Sequence, residues 1–263
     1  MSSPPNETPN LDPDTSSPAE GVQTGVAKGS GPPLAWKLTL ALALLAGAAA
    51  WWVGEAYLDY FKPSQAASSQ RFDFTALNKE KAVANAYNGT LAFGALGGFV
   101  GLALGLAGGF SRRPGGSPLL GAIVGLALGV AAGALPSLEI MPWQWRHRSD
   151  DPSSTQLLIP LLMHLGLWSG AGLAGGLAFG LGAGAKKPLR LAGTAISGLL
   201  GAMLGTLVFE IIGAGFFPLA STTLPFSDTA LTRLLARLCV AGFIGAVMIL
   251  PRLTSPKTGA RSS

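Results

Sequence analysis

Six apolar segments, each near or above 20 residues in length, constrain this chain more than any other feature. A helix needs about 20 apolar residues to cross roughly 30 Å of hydrocarbon. Lipid offers no hydrogen-bond partner to a peptide group, so a segment inside it must be helical and satisfy its own backbone. We therefore expect an all-α, polytopic membrane protein with about six transmembrane helices, which run over 34–53, 88–110, 117–136, 156–184, 191–213 and 231–250.

The charged residues also favour a membrane protein. Only 12% of the 263 residues are charged, about half the usual share in a soluble domain. The net charge of +5 comes from basic residues that flank the apolar segments. This distribution is typical of topology signals and not of a phosphate-binding face. The expected partner is thus the lipid bilayer, with other membrane proteins or a second copy of the chain as further candidates, and no nucleic acid.

The two ends of the chain predict polar tails around a membrane domain over 34–250. Residues 1–33 are rich in proline, serine, threonine and glycine and contain no aromatic residue. Because they cannot bury enough apolar surface to offset their ordering entropy, we expect them to be disordered. Residues 251–263 contain Arg252, Lys257 and Arg261, and we expect a flexible basic tail.

The short connections between segments predict the orientation in the membrane. Residues 111–116 and 186–190 are basic and free of acid, and such loops lie in the cytoplasm by the positive-inside rule. Both termini are then cytoplasmic, in a plasma (inner) membrane, and 54–87 and 141–151 form outer loops. Tryptophan favours the headgroup level, and five tryptophans fall near the inferred outer boundary: Trp51, Trp52, Trp143, Trp145 and Trp168.

Small residues, almost all of them glycine, recur at a spacing of four in four of the segments. Residues four apart share one face of a helix, so each run forms a strip without large side chains. Two backbones can approach closely across such strips and gain dispersion contacts and weak Cα–H···O bonds. The runs are Gly97, Gly101, Gly105 and Gly109; Gly121, Gly125, Gly129 and Gly133; Gly172, Gly176, Gly180 and Gly184; and Gly193, Ser197, Gly201 and Gly205.

The runs also repeat in register, which predicts a duplicated helical hairpin. A shift of 75 residues moves the first run onto the third, and a shift of 76 moves Gly121 and Gly125 onto Ser197 and Gly201. We expect hairpins over 88–136 and 156–213 that are related by an axis along the membrane normal. A strip of small residues usually reflects tight packing alone, whereas parallel repeats flank a substrate path in some transporters.

Four ionisable side chains fall within the apolar segments, where charge is costly and often functional. They are His164 in the fourth segment, Glu210 in the fifth, and Arg233 and Arg237 in the sixth. Counting along the helices puts them toward the outer side, so they form a candidate intramembrane polar cluster. Because the fifth and sixth segments are consecutive, we expect Glu210 to pair with Arg237, with Arg233 and His164 as alternative partners. In a competing interpretation, Glu210 and Arg237 extend separately to water.

No motif of a known chemistry occurs in the chain. It lacks Gly-x-x-x-x-Gly-Lys, His-Glu-x-x-His and Gly-x-Ser-x-Gly, and His164 has no neighbour at helical spacing to complete a metal site. The single cysteine, Cys239, lies in an apolar segment and is expected to be an inert small hydrophobe. We therefore expect no catalytic residue, metal or cofactor, and a non-enzymatic scaffold, assembly or regulatory component of the membrane. The alternatives are a small transporter or channel built on the hairpins, or a membrane-embedded enzyme that uses the polar residues.

Overall fold

The computed structural model describes residues 33–63, 74–111, 117–150, 158–217, 219 and 221–253. These residues form six α-helices, and each helix contains a stretch long and apolar enough to cross a membrane. The prediction of an all-helical, multi-pass membrane protein is confirmed. Residues 1–32 and 254–263, which hold most of the two predicted tails, lie outside the described residues. The helices are α1 (Pro33–Ala56), α2 (Phe74–Phe110), α3 (Pro118–Asp150), α4 (Leu158–Gly182), α5 (Pro188–Phe216) and α6 (Ala230–Leu253).

Helix α2 is much longer than its apolar segment. It begins at Phe74 instead of residue 88 and has 37 residues, a length of about 55 Å. Residues 74–87, predicted to belong to a loop, are therefore helical. They combine alanine with lysine and glutamate, which are good helix formers. Hydropathy detects the part of a helix that is apolar, and so it missed these turns.

Helix α3 continues through Pro136 to Asp150, so residues 141–150 are helical and not the predicted loop. Pro136 has no backbone N–H, so it cannot donate the usual helical hydrogen bond to the carbonyl of Ala132, four residues earlier. Gly170 of α4 lies directly against that carbonyl, since a Cβ added at Gly170 would overlap its oxygen. A neighbouring helix thus covers the freed group, which allows an internal proline in a membrane helix.

Five of the six helices close into a ring. Contacts join α1 to α2, α2 to α4, α4 to α5, α5 to α6 and α6 back to α1, while α3 packs outside the ring against α2 and α4. Consecutive helices run antiparallel, so the ring has two ends. We call the end at which α2, α4 and α6 begin the polar end. The opposite end, which carries Lys186, Lys187 and Arg190, is called the basic end.

The backbones of α2 and α3 approach so closely that facing glycines have no room for a side chain. A Cβ added to one member of each facing pair would overlap the carbonyl group of the other; the pairs are Gly97 with Gly129, Gly101 with Gly125, and Gly105 with Gly121. Helix α4 joins this seam near the basic end, where a Cβ at Gly182 would overlap the carbonyl of Gly105. Three helices therefore meet backbone to backbone.

The hairpin of α4 and α5 packs in a different register from that of α2 and α3. Gly172 and Gly176 of α4 face Gly198 and Thr194 of α5, and these two α5 positions are not in the predicted run. The predicted α5 positions lie elsewhere. Gly201 packs against the backbone of Ile244 on α6, and Gly205 also faces α6, whereas a Cβ added at Gly193 would have no atom within 4 Å. Positions related by the 76-residue shift therefore do not have equivalent neighbours.

Gly184 has a turn-forming role instead of a place on a helix face. It lies beyond the end of α4 and has a φ of 73°, a conformation that favours glycine. Its N–H donates to the carbonyl of Leu181, and the N–H of Ala185 donates to the carbonyl of Gly180, both at 2.9 Å. These two bonds form the Schellman motif that ends many helices.

Candidate functional site

A small cavity lies inside the ring near the polar end. Its volume is about 20 Å³, which is room for roughly one water molecule. Helices α2, α4, α5 and α6 and the α5–α6 connection all contribute to its wall. The helical lining residues include Phe93, His164, Trp168, Phe209, Arg233 and Arg237.

His164 is held between two oxygen atoms. Its Nδ1 contacts Oε1 of Glu210 on α5, and its Nε2 lies 3.0 Å from the carbonyl oxygen of Leu224. The imidazole also stacks on Trp168, one turn further along α4, with ring centroids 4.7 Å apart. Phe209 packs edge-on against both rings. Polar contacts therefore fix the two nitrogens of His164, and aromatic contacts fix its plane.

The two contacts of His164 restrict where the protons can lie. A neutral imidazole carries one N–H group, and an imidazolium carries two. In one state the ring is protonated and donates to both Glu210 and Leu224. In the other state it donates to Leu224 and accepts a hydrogen bond from a protonated Glu210. These two states differ by the position of one proton.

Arg233 forms an ion pair with Glu55, which lies near the end of α1. Its Nε and Nη2 atoms each lie 2.7 Å from one carboxylate oxygen of Glu55, the two-point geometry of strong arginine–carboxylate pairs. Its Nη1 donates to the carbonyl oxygens of Ser227 and Asp228, at 2.6 and 3.1 Å. The charge and all three nitrogen atoms of Arg233 are therefore engaged.

Arg237 lies one turn further along α6, and its positive charge has fewer compensating contacts than that of Arg233. Only 5% of the residue is exposed, and its Nη1 has no hydrogen-bond partner among the described residues. The guanidinium group rests against Gly54 of α1, where an added Cβ would overlap Nη2. The absence of a side chain at Gly54 thus provides the space for the head of Arg237.

The connection between α5 and α6 folds into the polar end of the ring, and we call residues 221–229 the plug loop. Phe226 stacks on Phe93 of α2, with ring centroids 5.5 Å apart. Three carbonyl groups of the loop make the contacts with the histidine and arginine described above. Thr229 ends the loop as a cap of α6, since its Oγ1 accepts from the N–H of Thr232 at 3.2 Å.

A larger cavity of about 290 Å³ lies on the other side of the plug loop, and we call it the vestibule. The vestibule and the inner cavity share residues 225–227 and Arg233 in their walls. Asp59 and Asp228 line the vestibule and are not part of the inner wall. The plug loop is therefore the partition between the two cavities.

Among the four predicted polar residues, the expected pair of Glu210 and Arg237 does not form. His164, Arg233 and Arg237 line one cavity, and Glu210 contacts His164, which was one of the alternative partners. Arg233 is engaged by Glu55. The physical reason is that α6 borders α1 as well as α5, and Arg233 and Arg237 are turned toward α1.

Two other residues of this region have contacts that the sequence-based interpretation did not predict. Glu55 was assigned to an outer loop, although it follows the Trp51–Trp52 pair within one turn and lies at the depth expected of Arg233. That shared depth was the available signal for their pairing. Trp168, expected near the outer boundary like Trp52, is only 4% exposed and stacks on His164, so it packs inside the protein whatever its depth in the membrane. Trp52, in contrast, is 70% exposed.

Asn88 is a further buried polar residue that the sequence did not single out as a structural contact. Its Oδ1 accepts from the N–H of Phe61 at 2.9 Å, and its Nδ2 donates to the carbonyl of the same residue at 3.0 Å. This two-way bond attaches the connection after α1 to the side of α2 and so closes one part of the polar end.

The described residues contain no group of three histidine, cysteine, aspartate or glutamate side chains that could hold a metal ion. No protein-family model, curated protein or solved structure matches the chain. The packing of the helices and the polar groups inside the ring are therefore the basis for inferring a function.

Proposed function

We propose that this chain is a non-enzymatic scaffold, assembly or regulatory component of its membrane. The observation that carries the proposal is the seam of α2, α3 and α4, where Gly105, Gly121 and Gly182 meet backbone to backbone. A seam without room for a methyl group has no room for a solute. Separating its helices would weaken many dispersion contacts at once. Such packing favours a rigid structural part over a protein that alternates between open and closed states.

In this proposal the glycine runs make the packing rigid. A duplicated hairpin would explain why the runs recur along the chain. We infer that 88–136 and 156–213 descend from one hairpin. The supporting features are the 75-residue register of α2 and α4 and the parallel direction of these two helices. The second helix of the second hairpin then differs by a rotation, which turns Gly201 toward α6 and Gly198 toward α4.

We also propose that the basic end faces the cytoplasm, with both termini on that side of a plasma (inner) membrane. Lys186, Lys187 and Arg190 are exposed there, in a short connection of the kind that determines orientation. The polar end and its plug loop then face outward. Exposed apolar residues on α3, such as Leu119 and Ile123, would contact lipid, another membrane protein or a second copy of this chain.

Reconstitution into liposomes tests the scaffold proposal. Fluxes of protons, sodium, chloride and neutral solutes should equal those of protein-free vesicles. The chain should also be recovered from native membranes in a complex of fixed stoichiometry, since a scaffold has a defined partner. Saturable uptake of any solute would show that the scaffold role is not a complete account.

One observation favours a second candidate, a small transporter or channel. His164 and Arg237 line the inner cavity and Glu210 contacts His164, and ionisable groups within a membrane domain commonly mark a path for ions or protons. Such a protein would have to move the plug loop and separate the glycine seams during each cycle. A flux that disappears in His164→Ala and survives in the exposed-site control Arg190→Gln would establish this alternative.

A further inference from the structure

Arg237 lines the inner cavity, and its buried Nη1 has no hydrogen-bond partner among the described residues. We propose that this cavity is a binding site for one monovalent inorganic anion of halide size, anchored by Nη1 of Arg237. Binding of this kind requires no transport, so it does not depend on whether the chain is a scaffold.

The charges around the cavity leave Arg237 as the group in need of a counter-ion. Glu55 is the carboxylate that acts electrostatically on Arg237, but both of its oxygens are bound by Arg233. Glu210 is engaged by His164 and not by Arg237. The buried guanidinium group of Arg237 is therefore left without a carboxylate partner among the described residues, and such isolation is costly.

The hydrogen-bonding capacity points to an anion as well. Nη1 of a guanidinium group carries two N–H donors, and neither has an acceptor among the described residues. A water molecule could accept one of these bonds but would leave the charge in place. A monovalent anion accepts the bond and neutralises the charge. Its attraction is strengthened because Phe93, Trp168 and Phe209 give the cavity an apolar wall.

The size of the inner cavity restricts which anions can bind there. The cavity is small, at about 20 Å³, so a single-atom anion such as chloride or bromide suits it better than a polyatomic one. A phosphate group or the headgroup of a lipid is too large. Asp59 and Asp228 add negative charge to the vestibule, so the anion site belongs to the inner cavity. An anion that enters from the vestibule must pass the plug loop, and its exchange is expected to be slow.

Binding of radioactive chloride to the full-length protein in detergent micelles tests the proposal directly. After long equilibration, binding should saturate at one chloride per chain, and bromide should compete whereas gluconate should not. The melting temperature should also be higher in sodium chloride than in sodium gluconate at equal ionic strength, because a ligand that binds the folded state stabilises it.

Substitutions locate the site. Arg237→Gln should weaken chloride binding at least about tenfold, which corresponds to about 1.4 kcal/mol. Gly54→Ala keeps the charge but displaces the guanidinium group, and it should also weaken binding severalfold. Arg190→Gln removes one exposed positive charge at the basic end and should leave binding unchanged.

The wild-type protein decides the question even where Arg237→Gln does not fold. Absence of saturable chloride binding by the wild type would overturn the proposal and leave water as the partner of Nη1. Equal binding by the wild type and a folded Arg237→Gln variant would overturn it too, because the anion would then lie elsewhere.

Discussion

Replacing glycine by alanine should have opposite effects on stability at Gly101, which lies in the seam between α2 and α3, and at Gly193, which lies on an open face of α5. A Cβ added at Gly101 would overlap the carbonyl oxygen and carbonyl carbon of Gly125, which are backbone atoms, and would lie tightly against its Cα. A Cβ added at Gly193 on α5 would have no atom within 4 Å. Gly101→Ala and Gly193→Ala therefore add the same methyl group to a helix interior, in a closed and in an open environment.

The expected magnitudes follow from two opposing effects. Replacing glycine by alanine inside a helix stabilises it by about 0.8–1.0 kcal/mol, and Gly193→Ala should gain up to this amount. At Gly101 the methyl group forces α2 and α3 apart. A gap of about 0.5–1 Å removes a quarter to a half of the dispersion energy of each contact across a seam, and overpacking typically costs about 1–3 kcal/mol. The two variants should thus differ by about 1–3 kcal/mol.

Unfolding in detergent micelles, followed by tryptophan fluorescence during titration with a denaturing detergent, measures this difference. Gly101→Leu and Gly176→Leu should be less stable than the corresponding alanine variants, because a larger side chain opens the seam further. Gly193→Leu is the matched control and should remain close to wild type. If Gly101→Ala and Gly193→Ala agree within about 0.5 kcal/mol, the two helices are not in backbone contact and the packing argument is refuted.

Three further outcomes are expected. In double-mutant cycles, Glu210→Gln should couple to His164→Ala by about 1–3 kcal/mol and to Arg237→Gln by less than about 0.5 kcal/mol; the reverse order would contradict the observed pairing. Asn88→Ala leaves two backbone groups without their partner, so the free energy of unfolding should fall by about 1–3 kcal/mol, and an unchanged value would show that water replaces the amide. In a cysteine-free background, Ser149→Cys should react with an impermeant thiol reagent from outside the cell, and labelling from the cytoplasmic side alone would reverse the proposed orientation.

The sequence determined the class of fold and the number of helices because hydrophobic length is a local property. Each apolar segment must form a helix wherever its neighbours lie, since lipid cannot satisfy the backbone. The same reasoning predicted that His164, Glu210, Arg233 and Arg237 lie toward one end of their helices, and the structure brings them together at the polar end. It could not detect the polar turns of α2 from Phe74 onward, since those turns have no apolar signal.

Only the tertiary structure decided which of these residues meet. Counting along a helix gives depth in the membrane, but it does not give the order of helices around the ring or the rotation of each helix. The ring brings α6 between α5 and α1, so Arg233 meets Glu55, and Glu210 meets His164. The rotation of α5 about its own axis likewise decides that Gly201 packs against α6. A strip of small residues shows that a close neighbour is possible, and only the packing of the whole ring determines which helix that neighbour is.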